Sequence, residues 1–381
     1  MAPMKAQSPL GLVVSWPPLA VVFLVDVGIM TLVSNWPTQW RRDIAWWTGV
    51  GIAALVAILV LVTFRRVRLG VLIGTWLRNF FTKVEPALAV GRDAATDHRR
   101  RYGHATVGVR HHDGAVVAVV AVAAPVLAPN GRHSQPEAAM AELPIQAVAA
   151  SLSQFDVHLD GIDVIALATA DATPTERQPS AWLVLRMTPT ANVGGVIVRD
   201  SVASTMAAVA ERVADDLGRR RFDAWPLTAD ELSDLDDAVL GGVSDDASPR
   251  LRFLKRRDGD GEVTGYATSF WLSPNDITAD TLADLWDVDA DLTVIGLRLL
   301  ARHNQIEVCA WVRFHTAERL DKSVFKGLNR LAGRQLLAVA EIMPVPARQP
   351  RLVLPARALQ DDDPAALPLP EPVLDTAEAG P

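Results

Sequence analysis

The sequence predicts an α+β membrane protein in which an N-terminal two-helix transmembrane hairpin precedes a cytoplasmic α/β body of two similar ββαββα halves. Half of the 381 residues are hydrophobic and the mean hydropathy is +0.18, which is high for a soluble chain. Two long apolar segments lie within the first 84 residues, and the order of predicted strands and helices repeats after residue 228. These observations carry the fold prediction.

The membrane anchor is predicted to occupy residues 1–84, with spans at about 16–34 and 46–64. Residues 46–64 contain no charge, and about 20 apolar residues in a helix cross a bilayer core of about 30 Å. The first segment starts with two prolines, which suit a helix start, and Asp26 is its only charge. Because this segment is longer than a signal-peptide core and lacks a small-residue cleavage site, we expect it to be retained.

Basic residues predict the orientation of the hairpin. Arg65, Arg66 and Arg68 follow the second span, whereas the loop between the spans holds two arginines beside one aspartate. The larger basic cluster belongs in the cytoplasm, and two spans return the N-terminus to the same side. We therefore expect a two-pass protein with both termini cytoplasmic. The basic residues also suit contact with anionic membrane lipids, although topology alone explains them.

Four residues of the spans stand out. Trp16, Trp46 and Trp47 lie at predicted span ends, where indole rings favour the membrane interface, so we interpret them as anchors. Asp26 lies near the middle of its span, where an ionised carboxylate is costly. A hydrogen bond to a partner helix is favoured over a proton relay, because neither span contains a second ionisable residue.

The body is predicted as a first half at residues 85–227, a second half at 228–343 and a Pro-rich acidic tail at 344–381. The first half has a hairpin at 106–122 with an Asp-Gly turn, a helix at 143–155, strands at 162–170 and 180–188, and a long helix starting near Ser201. An acidic helix capped by Thr228 links the halves. The second half has strands at 251–257, 262–274, 292–301 and 306–316 and helices at 276–286 and 325–339. Nine prolines among the last 38 residues indicate that the tail is solvated.

Motifs for catalysis are sparse. The phosphate-binding loop, dinucleotide fingerprint, HExxH and GxSxG patterns do not occur. Net charge is −7, so we expect no nucleic-acid partner, and the single Cys309 excludes an intramolecular disulfide and is interpreted as a packing residue.

Three short patterns are weighed as metal sites and interpreted as turns or chance. They are His111-His112-Asp113, Asp258-x-Asp260-x-Glu262 and Asp287-x-Asp289-x-Asp291. The third resembles metal-bound nucleotide-sugar sites of glycosyltransferases. It supports an alternative, a membrane-anchored metal-dependent enzyme such as a glycosyltransferase, that uses Asp289 and Asp291.

Segments along nearly the whole chain resemble the EccE family of the type VII (ESX) secretion system, especially its members from the fifth ESX system. They are FLVDV (23–27), AWWTGVG (45–51), TVGVR (106–110), QFDVHLDGID (154–163), WLVLRM (182–187), RDSVAST (199–205), GYATSFWLSPNDIT (265–278), AWVRFH (310–315) and GLNRLAGRQLLAV (327–339). The resemblance implies an inner-membrane subunit of a hexameric complex with EccB, the ATPase EccC, EccD and the mycosin protease. It implies no catalytic residue, cofactor or metal ligand.

The leading hypothesis is therefore a non-catalytic structural subunit that braces a protein-export channel in the mycobacterial cell inner membrane. The glycosyltransferase-like enzyme is the alternative. A third hypothesis is a peripheral sensor that binds a small ligand in the body.

Overall fold

The computed structural model describes most of the body and the two apolar segments. The described residues are 10–12, 16–35, 42–64, 67–81, 88, 91–101, 103–123, 141–170, 179–199, 201–243, 252–257, 261–302, 305–320, 328–347 and 352–370. Together they form a mixed α/β structure with one large antiparallel sheet.

The N-terminal part contains three helices and a small sheet. Its elements are β1 (Leu10–Leu12), α1 (Trp16–Ser34), α2 (Arg42–Leu61), β2 (Val62–Phe64), β3 (Val67–Arg68) and α3 (Leu69–Phe81). Helices α1 and α2 pack together, and a side chain at Gly49 of α2 would meet Val33 Cγ2 of α1 at 2.5 Å. Strand β1 pairs antiparallel with β2, so the residues before α1 lie beside the residues after α2.

One of these helices is long and apolar enough to cross a membrane. It is Ile44–Leu61, with a mean hydropathy of 2.3, whereas Pro18–Ser34 is a shorter apolar helix. The predicted helix at 46–64 is wrong at its end, because Val62–Phe64 is a strand paired with β1 and β3. Two of these three residues, Val62 and Thr63, are β-branched, which favours strand over helix.

The body contains sixteen strands and six helices among the described residues. The strands are β4 (Thr96–Arg99), β5 (Thr106–His112), β6 (Ala115–Ala123), β7 (Glu142–Pro144), β8 (Ser153–Gln154), β9 (Val157–His158), β10 (Gly161–Thr169), β11 (Ala181–Met187), β12 (Asp223–Pro226), β13 (Leu254–Arg257), β14 (Val263–Leu272), β15 (Leu292–Arg302), β16 (Gln305–Thr316), β17 (Leu328–Arg330), β18 (Arg357–Ala358) and β19 (Ala366–Pro368). The helices are α4 (Ile145–Ala150), α5 (Val193–Val198), α6 (Val202–Arg219), α7 (Ala229–Leu240), α8 (Ala279–Asp284) and α9 (Gln335–Ile342).

Twelve strands form one sheet with the order β13-β14-β16-β15-β10-β11-β6-β5-β4, with β12, β17 and β18 attached beside β6, β14 and β16. The central pair is β10–β15, in which Gly161 lies opposite Leu300 and Thr169 opposite Leu292. Helices α4, α6 and α8 cover one face of the sheet. Helices α7 and α9 and the described residues from Met343 to Ala356 cover the other face, whereas Leu367 and Leu369 pack on the first face. Both faces are therefore buried.

Local signals in the sequence are confirmed where they are strongest. The predicted Asp-Gly turn joins β5 to β6, with Asp113 at φ 45° and Gly114 at φ 65°, as a tight hairpin turn requires. Ser201 caps α6 through its hydroxyl. Thr228 and Glu231 form a reciprocal capping box at the start of α7.

Three predicted helices are shorter than expected. The helix at 143–155 is reduced to α4, because Leu143 lies in β7 and the chain turns back after residue 152 to form β8 and β9. The helix at 276–286 is reduced to Ala279–Asp284. In place of the helix at 325–339, Leu328 lies in a strand and α9 begins only at Gln335, because Gly333 takes a φ of 75° that ends regular structure before it. Residues 321–327 lie outside the described part.

The prediction of a solvated tail is wrong for residues 352–370. Strand β18 pairs with β16 and β19 pairs with β7, and Leu367 and Leu369 are fully buried. The prolines favour extended backbone, which lies along the body, and the leucines supply the apolar surface that attaches it. Arg357 and Asp363 form an ion pair within this segment.

Candidate functional site

Five strands of the large sheet each carry one buried charged residue within an apolar run. They are Arg110 of β5, Asp163 of β10, Arg186 of β11, Arg298 of β15 and Arg313 of β16. Each is at most 7% exposed. Because isolated buried charges are costly, their partners decide whether the sheet is stable.

Asp163 lies at the centre of this cluster. Its carboxylate accepts hydrogen bonds from Arg298 Nε and Nη2, both at 2.7 Å, and forms an ion pair with Arg186 Nη1. These bonds join three adjacent strands, β11, β10 and β15. The guanidinium of Arg298 also lies 5.3 Å from the ring of Trp311.

The same arginines hold the chain that follows α9. Arg298 forms an ion pair with Glu341 at the end of α9. Arg186 donates to the carbonyl oxygens of Met343 and Val345 at 3.2 and 3.3 Å, and Glu341 accepts from the Leu352 amide at 3.3 Å. The closing segment, residues 341–347 together with Leu352, is therefore bonded to the centre of the sheet.

A second buried pair supports this arrangement from the neighbouring strands. Arg110 contacts both carboxylate oxygens of Asp236 in α7 at 2.9 and 3.3 Å and donates to the Pro344 carbonyl at 3.0 Å. Arg92 reaches the same carboxylate at 3.5 Å. The pair thus connects β5, α7 and the closing segment.

Burial and ion pairing have opposite effects on the pKa of the Asp163 carboxyl. Burial on its own raises the pKa of the Asp163 carboxyl, but the positive charges of Arg186 and Arg298 outweigh it and lower the pKa below the ordinary value. For a carboxyl with a depressed pKa, the stabilisation is present above the unfolded pKa of about 3.9 and is lost as pH falls through the folded pKa. The free energy of unfolding of the body should therefore fall in acid as the cluster loses its charge pairing.

Arg313 and His315 lie on the same sheet face without an acidic partner among the described residues. Arg313 donates to the Val239 carbonyl near the end of α7, and burial lowers its pKa to about 9. Burial and the positive charges of Arg313 and Arg256 hold the pKa of His315 well below its ordinary value. His315 is therefore neutral at pH 7.

The predicted membrane residues are widely exposed. Trp16, Trp46 and Trp47 are 81%, 50% and 71% exposed, and Arg68 is exposed in β3. Arg65 and Arg66 lie outside the described residues. Asp26 is half-buried in α1, and its Oδ1 has no hydrogen-bond partner within the described part of the chain.

Helix α3, which the sequence analysis missed, joins the apolar helices to the body. A cavity of about 430 Å³ separates it from the body and is lined by Leu72 and Trp76 on one side and Trp271, Arg334 and Leu354 on the other. Apolar residues recur along α3 at spacings of three and four, which is the signal that predicts an amphipathic helix. Trp76 is 58% exposed.

The sequence patterns considered as metal sites do not form a metal-binding arrangement among the described residues. Asp291 forms an ion pair with Arg256 at 2.9 Å, while Asp287 and Asp289 are exposed. Within the described ranges, no group of three or more His, Cys, Asp or Glu side chains is placed to hold a metal ion.

The remaining candidates have ordinary structural surroundings. His112 contacts Asp93 at 3.0 Å beside the hairpin turn, and His111 is exposed. Asp258 and Asp260 lie outside the described residues, and Glu262 precedes β14. Cys309 is buried and its pKa is raised to about 12 by burial, which confirms its interpretation as a packing residue.

The structure defines a class: a protein with an apolar helix long enough to cross a membrane, attached to a mixed α/β body on one large antiparallel sheet. The family model described as the "type VII ESX secretion system translocon, EccE" matches residues 175–272. The chain is 41% identical to "ESX-5 secretion system protein EccE5" of Mycobacterium tuberculosis (strain ATCC 25618 / H37Rv), over 96% of this chain and 97% of the relative. It is 40% identical to the protein of the same name from Mycobacterium marinum (strain ATCC BAA-535 / M), over 96% of each chain.

The chain therefore belongs to the EccE family and is a component of a type VII secretion system. The resemblance found in the sequence is confirmed. The apolar helix fits a membrane component of that system.

Replacing Asp163 by Asn should destabilise the body strongly. The substitution leaves Arg186 and Arg298 buried without their shared anion, and removing one partner of a buried ion pair costs about 3–5 kcal/mol. We expect a large loss in the free energy of unfolding, measured on the full chain in mild detergent by denaturant titration of tryptophan fluorescence. Asp289→Asn, at an exposed position, is the matched control and should leave the midpoint unchanged. Equal midpoints for Asp163→Asn and the control would contradict a stabilising role for the cluster.

Replacing His315 by Leu should flatten the pH dependence of stability between pH 7 and 5. The folded state resists protonation of His315, whereas the unfolded chain takes up a proton below about pH 6.5, so the native chain loses up to about 1.4 kcal/mol per pH unit there. The exposed His104, replaced by Leu, is the control and should keep the native slope. Denaturant midpoints at a series of pH values measure this, and an unchanged slope in His315→Leu would refute the assignment.

Proposed function

We propose that this protein is a non-catalytic structural subunit of the ESX inner-membrane complex, which braces the channel assembly for protein export across the mycobacterial cell envelope. Its proposed neighbours are EccB, the ATPase EccC, EccD and the mycosin protease in a hexameric complex. The observation that carries the proposal is the buried cluster around Asp163, because these charged side chains hold the chain's own closing segment. A body whose closing segment is held by buried ion pairs is suited to support contacts with neighbouring subunits.

We propose a two-pass topology with both termini in the cytoplasm. The pairing of β1 with β2 supports it, because Leu10 lies opposite Phe64 and the two ends of the helix pair are thereby side by side. The close approach of Gly49 to Val33 supports antiparallel packing of α1 on α2. Helix α1, with 19 residues, has a length of about 28 Å, which is close to the bilayer core.

The anchor residues fit this topology. Trp16 lies at the start of α1, while Trp46 and Trp47 lie in the first turns of α2, at opposite ends of the antiparallel pair. These positions support the proposal that indole rings lie at both membrane interfaces. Arg65, Arg66 and Arg68 then follow α2 on the cytoplasmic side, where they favour anionic lipids.

Asp26 is proposed to bind a helix of a neighbouring subunit. Its half-buried carboxylate has an oxygen without a partner in the described residues, and a polar group at membrane depth is satisfied by packed helices. Exposed apolar residues of α1, such as Phe23 and Leu24, border it. A protein helix that covers this face would satisfy the carboxylate.

We also propose that the body consists of two related halves that meet at β10–β15. From the centre outwards, the first half has the order β10-β11-β6-β5 and the second has β15-β16-β14-β13. Each half therefore presents its second pair of strands at the centre and its first pair outside. This mirrored order is what a duplicated ββαββα unit produces when its two copies share one sheet.

Native-membrane purification tests the assembly. A tagged chain, solubilised gently from its own host, should migrate on native gels in a complex far larger than its mass of 41.2 kDa, together with a hexamer-forming ATPase and other membrane subunits. Asp289→Asn combined with Asp291→Asn should leave assembly and secretion unchanged. A monodisperse monomer would contradict the proposal. Loss of secretion in the double variant, with the assembly intact, would favour an enzymatic role.

Cysteine labelling tests the topology on the full chain with single substitutions. Cys309 is buried with a raised pKa, so it should not react, and single cysteines can be introduced at Ser8, Thr38 and Ser233. In intact cells stripped of their outer envelope, a membrane-impermeant maleimide should label only Thr38→Cys. Inside-out vesicles should show the opposite pattern. Labelling of Ser8→Cys from outside would exclude the two-pass arrangement.

A further inference from the structure

A cavity of about 510 Å³ opens on the body between α4, the turn that joins β8 to β9, and the second half of α6. Gln154 at the end of β8 and Phe155 of the turn line it on one side, and Arg212 and Arg219 of α6 with Arg220 just after the helix line it on the other. None of these residues belongs to the cluster around Asp163. The cavity thus offers a separate, mainly basic site.

The side chain of Gln154 is buried beside this cavity, and its amide group is unsatisfied within the described part of the chain. Its side chain belongs to a residue that is 8% exposed, and neither its amide nitrogen nor its amide oxygen has a hydrogen-bond partner within the described residues. A buried amide left unsatisfied on both sides is uncommon and costly. A ligand with both a donor and an acceptor would satisfy it, as the N–H and C=O of a peptide backbone do.

Arg212 presents an unpaired charge to the same cavity. Its Nε donates to the Ala208 carbonyl at 3.1 Å, but its Nη2 is buried without a partner in the described part of the chain. Nearby acids are already engaged: Asp216 pairs with Arg219 at 3.0 Å and Glu211 pairs with Arg100 at 2.6 Å. An incoming carboxylate would therefore meet a guanidinium without an acidic partner of its own.

An apolar surface adjoins the cavity. Phe155 is 92% exposed, and its backbone takes a φ of 51°, a left-handed conformation that is strained for a bulky residue. The Arg212 guanidinium lies 5.8 Å from its ring. Helix α5 packs against the turn, because a side chain at Gly195 would meet the Asp156 carbonyl at 3.0 Å, and it exposes Ile197 by 72%.

We propose that this cavity binds a peptide segment of a neighbouring subunit in which a carboxylate lies next to an apolar side chain. Arg212 binds the carboxylate, Gln154 binds the peptide backbone, and Phe155 receives the apolar side chain. A fully ionised phosphate fits less well, because it offers no donor to the Gln154 oxygen. The inference deepens the proposed structural function and rests on it, since it gives the subunit a docking site for its assembly.

Photo-crosslinking at Phe155 tests the proposal in the intact complex. A benzoyl-phenylalanine at this position preserves an aromatic side chain and should crosslink to one partner peptide that contains an acidic residue beside an apolar one, as mapped by mass spectrometry. Arg212→Gln should lower the crosslink yield at least about tenfold, because a charge-assisted bond is lost. Arg99→Gln, at an exposed position of β4 outside the cavity lining, is the control and should retain the yield.

The outcomes separate this inference from the proposed function. A complex that purifies intact but gives no crosslink, a lipid crosslink, or a partner site without a carboxylate overturns the docking site and leaves the structural function standing. A chain that purifies alone overturns the proposed function and the docking site with it.

A second variant separates binding from folding. Phe155→Gly removes the aromatic ring but relieves the left-handed backbone, so the thermal midpoint of the full chain in detergent should stay level or rise. The yield of the partner that co-purifies with the chain should nevertheless fall. A lower midpoint with an unchanged partner yield would show that Phe155 serves folding only and would overturn the proposal.

Discussion

The carboxylate of Asp163 is the contact on which the rest of the body depends. It lies on β10 at the middle of the sheet and is shared by arginines from the strands on either side. Asp163 is the only anion that contacts both arginines among the described residues, and Glu341 adds a second ion pair to Arg298 alone, so removing Asp163 leaves the buried charge of Arg186 without a carboxylate partner there. The arginines also hold carbonyl oxygens after α9, so the sheet and the closing segment depend on the same charge.

This arrangement explains how one continuous sheet forms from strands far apart in the chain. Arg186 belongs to β11 and Arg298 to β15, and the two strands pair with opposite edges of β10. Apolar side chains on both faces bury the sheet without deciding which strands meet at its centre. The charged residues add that selectivity, since the register places Arg298 directly opposite Asp163 on one side and places Arg186 opposite Gly161, two residues from Asp163, on the other. Helix α3 follows the apolar helices and lines a cavity together with residues of this body.

Much of the fold is predictable because it depends on local patterns. The hairpin at Asp113-Gly114, the caps of α6 and α7 and the central strands all follow from residues close in sequence. The errors come from contacts that sequence spacing does not record. Gly333 interrupts a pattern of apolar spacing that otherwise predicts a longer helix. The segment containing Leu367 folds against the body only because β7, more than 200 residues earlier, offers it an edge.

The sequence indicates the buried cluster by a single charged residue in each of several apolar strands. It does not indicate which of these charged residues pair with each other. Which arginine meets Asp163 depends on strand order, and strand order follows from long-range pairing. The cavity at Gln154 was hidden for the same reason, because its walls come from α4, a short turn and α6. Membership of the EccE family, by contrast, rests on residues along the whole chain and was available from the sequence.

Hydrogen exchange of the full chain in mild detergent tests the central claim most directly. If the cluster around Asp163 joins the closing segment to the sheet, the amide of Leu352 and the amides of α9 should open only with the central strands β10 and β15, and should exchange as slowly as those strands. Fast exchange of residues 335–352 under conditions that leave β10 and β15 protected would contradict the claim, because the segment would then open independently of the cluster.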